Sequence, residues 1–127
     1  MNSQENLNNI IKFFFSLQLN LKMYHWLTTS YARHKASDQL GENLLPLVDK
    51  FVEVYIGKYK VKPFLSSIKI EQEFMSDNGS EMLLLKSKKY LEEIASRLNP
   101  QQDSELFNIK DELLAEIENT IYLYQLK

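Results

Sequence analysis

Apolar residues recur at helical intervals from the start of the chain. Ile10, Phe14, Leu17, Leu21 and Tyr24 are separated by four, three, four and three residues, which places their side chains on one helix face. This spacing predicts a first helix over about 3–29, with Ser3 as its N-cap. The hydroxyl residues of "TTSYA" at 28–32 can cap or turn the backbone, and a second helix follows over about 32–59. Leu40, Leu44, Leu47, Val48, Phe51 and Tyr55 form its core face. Pro46 lies in its interior and removes a backbone donor at a cost of about 3 kcal/mol, so a kink or local irregularity is expected there.

The period lapses over 61–79, where Pro63, Ser66-Ser67 and Asp77-Asn78-Gly79 predict a long connection with one short helical piece around 65–73. A third helix is expected over about 80–98, turning Leu84, Leu91, Ile94 and Leu98 inward. Asn99 would cap its end and Pro100 would open a fourth helix. That helix carries Leu106, Ile109, Leu113, Ile117, Ile121 and Tyr124 to the chain end. The expected fold is all-α: a single four-helix bundle domain over 1–127, with a long crossover connection between the second and third helices.

Composition agrees. The 127 residues are 44% hydrophobic, with seven Phe, seven Tyr and one Trp to fill a core, and only three Gly and three Pro interrupt them. The net charge is −2 and the basic residues are scattered along the chain, which argues against nucleic acid as a partner and against DNA condensation. The absence of cysteine excludes a disulfide framework, a thiolate nucleophile and a zinc–thiolate site, and fits a reducing compartment. The most apolar early segment, 10–21, is broken by Lys12, Ser16, Gln18 and Asn20 and is too polar to span a bilayer. It also lacks a basic start and a cleavage site. The expectation is a soluble, cytoplasmic protein with no membrane partner.

Candidate chemistry is concentrated in "LKMYHWLTTSYARHKASDQL" at 21–40, which holds both histidines. On spacing alone, His25 reads as a side chain packed beside Trp26 and bonded to a backbone carbonyl, and His34 as an exposed residue in the first turn of the second helix. Trp26 itself reads as core or interface. A second stripe on that helix changes the picture. Gly41, Leu45, Val52 and Ile56 fall outside the core face, and His34, Asp38, Asp49 and Glu53 share their side. His34 and Asp38 are four residues apart, as are Asp49 and Glu53, so each pair can point two ligand atoms at one ion.

The two pairs cannot meet within one chain, because fifteen residues of helix span about 22 Å. Antiparallel pairing of the helix with its own copy, about a two-fold axis near 41–46, would bring them together twice. Gly41 would allow close approach, and His25 could supply a further ligand. Nitrogen and carboxylate oxygen without sulfur suit iron, manganese or zinc, and open positions suit oxygen chemistry at iron. The "FFF" run at 13–15 wraps too far around its helix to face one core, and is expected to mark another subunit contact.

These residues resemble the ferritin-like superfamily, and within it the Dps-type mini-ferritins. The likeness rests on the His-Trp pair at 25–26, then His34, Asp38, Asp49 and Glu53, with fifteen residues and then four separating the last-named His, Asp and Glu. Short ferritin-like proteins encoded by phages and other viruses look similar around "HW" and "SYARH". The resemblance is strong over 21–59 and architectural elsewhere. It implies a four-helix bundle whose intersubunit sites bind and oxidise Fe(II), with His25, His34, Asp38, Asp49 and Glu53 as metal ligands and catalytic residues of a ferroxidase-type site, often within a larger shell. Three departures stand beside it: a shorter interval between the histidines with no Gly in it, Pro46 inside the second helix, and no lysine-rich tail. They motivate an alternative, a non-catalytic helical dimer or assembly module that kept the fold and lost the metal chemistry.

Overall fold

The computed structural model describes residues 2–72 and 76–126. Four helices, and no strand among these residues, make up the chain: α1 (Ser3–Leu27), α2 (Tyr31–Tyr59), α3 (Asp77–Ser96) and α4 (Ser104–Leu123). α1 packs on α2 and α3, and α4 packs on the same two, so α2 and α3 occupy opposite corners of the bundle. The expected inward positions supply the core. Ile10, Phe14, Leu17, Leu21, Tyr24, Leu40, Leu44, Phe51, Tyr55, Leu84, Leu91, Ile94, Leu106, Leu113, Ile117 and Tyr124 are all buried. Burial of these side chains, at roughly 1.5–3 kcal/mol each, is the main force holding the helices together.

The helix ends differ from the expectation in several places. Asn2, not Ser3, caps α1, accepting a hydrogen bond from the Glu5 amide at 2.8 Å. α2 continues unbroken through Pro46. Pro46 and Glu42 are both exposed, so water can satisfy the Glu42 carbonyl that loses its partner. α3 begins at Asp77, with Ser76 capping the Gly79 amide at 2.9 Å. Asp77-Asn78-Gly79 is therefore the first turn of a helix, where Asp favours the positive end of the dipole, and not the close of the connection.

Pro100 does not open α4. Residues 99–103 form a turn in which Asn99 Oδ1 accepts from the amides of Gln101 and Gln102, and the Asp103 carboxylate accepts from Asn99 N and Tyr59 Oη. Asn99 and Asp103 thus bind backbone donors locally, a competition that delays the helix to Ser104. Lys58 closes this end of the bundle on Asp103, Glu105 and the Gln102 carbonyl.

The connection after α2 starts at Lys60, whose left-handed backbone (φ 57°) ends that helix. It lies along α1. Gln4 Nε2 donates to Lys62 O, Asn8 Oδ1 accepts from Phe64 N, and Asn20 Nδ2 donates to Glu71 O. These backbone contacts explain the lack of period, because the segment is held in extended form by α1 side chains. No helical piece occurs over 65–72, and residue 73 of that expected piece lies outside the described residues.

At the other end of the bundle, Tyr24 Oη and Thr28 Oγ1 both donate to Asp77 Oδ1, at 2.5 and 3.1 Å. The Tyr24 hydrogen bond chiefly holds the Asp77 carboxyl below its ordinary value of 3.8. Its contribution to stability is therefore present above pH 3.8 and is lost as pH falls through the lower folded value. Melting temperatures measured down a pH series should drop across that window in the wild type. The drop should be shallower for Asp77→Asn; equal slopes would contradict the assignment.

Candidate metal centre

The two histidines meet at the corner between α1 and α2. His25 lies in the last turn of α1, and His34 one turn into α2. The corner itself is built by hydroxyls, with Thr28 Oγ1 accepting from Ser30 N and Ser30 Oγ capping Arg33 N. The two imidazole rings are stacked, with centroids 3.8 Å apart and planes 15° from parallel. Each ring binds the other residue's backbone: His25 Nδ1 lies 2.7 Å from His34 O, and His34 Nδ1 lies 2.7 Å from His25 O.

A carbonyl can only accept, so both Nδ1 atoms must carry the proton. In the neutral rings the lone pair then sits on Nε2 in both cases, the arrangement that a carbonyl partner imposes on a metal-binding histidine. The expectation of a backbone carbonyl partner for His25 holds. The expected packing beside Trp26 does not, since His34 is the stacking partner and Trp26 is 67% exposed. His34 is partly buried and not the exposed residue that its position suggested. The short interval between the histidines produces this clasp, because a three-residue corner sets the last turn of one helix against the first turns of the next.

Asp38 joins the pair. Its Oδ1 lies 4.0 Å from His25 Nε2 and accepts from Lys22 Nζ at 2.8 Å. The Lys22 hydrogen bond is the main reason that the Asp38 carboxyl titrates below its ordinary value, with burial opposing it. Lys22 was not legible as part of the site, although its position three residues before His25 puts it on the same face of α1.

Asp49 and Glu53 do not join. Both are exposed further along α2, at the separation of about 22 Å that helix geometry requires. Among the described residues, no group of three or more His, Asp or Glu side chains could hold a metal ion. One chain therefore presents two imidazole nitrogens and one lysine-paired carboxylate, an incomplete donor set. The second stripe is also only partly free. Val52 and Ile56 pack against the core, whereas Leu45 is 58% exposed.

No curated protein and no solved structure matches the chain. No described helix is long and apolar enough to cross a membrane. A family match covers residues 25–124, from the first of the stacked histidines to the end of α4: the chain belongs to the family of unknown function DUF5856.

Proposed function

We propose that the chain is a ferritin-like bundle that pairs with its own copy through α2 and holds iron between the subunits. His25, His34 and Asp38 of one chain, with Asp49 and Glu53 of the other, would be the ligands. The observation that carries this reading is the reciprocal carbonyl clasp, which leaves both Nε2 atoms unprotonated in the neutral rings, that of His25 lying 4.0 Å from the Asp38 carboxylate. The incomplete donor set of one chain fits a site finished by a second.

Gly41 supports the same interface. A Cβ there would lie 3.5 Å from Gln18 Oε1, an ordinary contact, so packing within the chain does not require glycine at that position. Leu45, one turn along, is exposed. The course of residues 60–72 along α1 is what a ferritin-like crossover would follow. Iron held at the site would supply electrons to oxygen or peroxide, and the carboxylates would stabilise the ferric product by charge.

One observation favours a second reading, a helical dimer or assembly module without metal chemistry. Lys22 already neutralises Asp38, where an ion would need to displace it.

Fe(II) titration under argon, with wild type beside His34→Ala/Glu53→Ala, tests the proposal. The expected result is about two ions per dimer and affinity lowered by at least tenfold in the double variant. Unchanged affinity would overturn the metal site. A dimer in sedimentation that binds no Fe(II) would establish the second reading instead.

A further inference from the structure

The fold gathers basic residues that the sequence scatters. A cleft of about 710 Å³ opens between α1, α3 and the connection, lined by Lys12, Lys69, Lys86, Lys89 and Arg97, with Glu93 as the one acid among its described lining residues. A third of the chain's 15 Lys and Arg residues converge there, although the whole chain carries −2. Like charges brought together cost stability unless an anion relieves them.

The arrangement is built rather than accidental to one helix. Lys86, Lys89, Glu93 and Arg97 follow one another at three- and four-residue steps on a single face of α3 and just past its end, and Lys12 faces them from α1. Lys69 approaches from the connection, sharing its charge with Glu71 at 3.3 Å. Lys12 and Lys89 make no ion pair among the described residues, so their charges are available to a ligand. Between the cations, Phe13 and Tyr90 stack with ring centroids 4.3 Å apart, and give the cleft a rigid apolar wall. Tyr90 is further fixed by its hydroxyl on the Asn9 carbonyl.

We infer that this cleft binds a small molecule carrying two or more linked phosphate groups. The cleft volume is that of a small-molecule site, about 300–1,000 Å³, and its lining comes from α1, α3 and the connection together. Lysines supply mobile point charges, and Arg97 can bind two phosphate oxygens at once. The wall residues keep water off one side of the ion pairs, which strengthens them. The site is separate from the histidine corner and does not depend on the metal reading.

Calorimetric titration of the full chain with inorganic tripolyphosphate, with ATP and with an eight-nucleotide single-stranded DNA tests it. Tripolyphosphate should bind once per chain, and Lys12→Glu/Lys89→Glu should weaken it at least tenfold. Lys50→Glu/Lys62→Glu, with the same change of charge elsewhere, should leave it within twofold. Circular dichroism melts would establish that both variants fold, and Lys12→Gln/Lys89→Gln provides a milder replacement. Tighter binding of ATP than of tripolyphosphate would identify a nucleotide as the source of the phosphates, and equal binding an inorganic polyphosphate. Absence of saturable binding, equal loss in both charge-reversed variants, or preferential binding of the oligonucleotide would each overturn the inference.

Discussion

Phe51→Ala should lower the stability of the bundle by about 3–5 kcal/mol, the usual cost of deleting a buried phenyl ring, and lower Tm by roughly 10 °C or more. Phe51 is 1% exposed and meets the edge of Phe14 with ring centroids 6.1 Å apart, at the centre of the contact between α1 and α2. Truncation would remove an aromatic pair and leave a cavity within the buried core. Urea unfolding at constant slope is the direct measurement. A loss under about 1.5 kcal/mol would mean that the core collapses into the space.

Arg33→Ala should cost about 2–3 kcal/mol, by removing one side chain that ties three helices together. From the first turn of α2, Arg33 donates to Glu81 at 2.6 Å, to the Asp77 carbonyl at 3.1 Å and to the Tyr124 carbonyl at 3.0 Å, and its guanidinium lies 4.7 Å from the Tyr124 ring centre. A cation in a first helical turn opposes the helix dipole, so its place is set by tertiary partners and not by local preference. The Tyr124 carbonyl is one of the orphan acceptors at the end of α4. Glu81 is partly exposed and can be rehydrated, which keeps the expected cost below that of a fully buried pair. Arg33→Lys should recover less than half of the loss, since one ammonium cannot reach three acceptors in fixed directions. Full recovery by lysine would show that charge alone matters. Thermal melts of the three proteins decide it.

Much of this architecture was legible because the core faces keep one period over several turns. Ile10 to Tyr24 and Leu106 to Tyr124 lie where a helical repeat puts them, and helix type follows directly. Helix ends were less legible, because the same small polar residues serve caps and turns. Asp77-Asn78-Gly79 has the composition of a turn, yet Ser76 beside it caps a helix that contains all three. Asn99-Pro100 has the composition of a stop and a start, yet the Asp103 carboxylate holds the chain in a turn until Ser104.

The histidine corner was half legible. Types and spacing singled out His25, His34 and Asp38, but the stacking depends on how α1 and α2 cross, which a periodic pattern does not encode. Asp49 and Glu53 remain on the exposed surface of α2, and only a second chain could bring them to the histidines. The basic cleft was not legible at all, because its cations come from positions 12, 69, 86, 89 and 97 and converge only after folding.

The clasp between His25 and His34 gives both side chains a structural task at the corner. The His25 carbonyl lies in the last turn of α1, where no helical amide remains to bind it, and His34 Nδ1 supplies the missing donor. His25 Nδ1 fastens the return side of the corner by adding a bond to the His34 carbonyl inside the start of α2. On the proposed metal reading, an intact corner and ligand chemistry would depend on the same two side chains through opposite ring nitrogens. A chain without any chemistry at Nε2 would still need both histidines for what Nδ1 does, so the presence of the pair is compatible with either reading of the site.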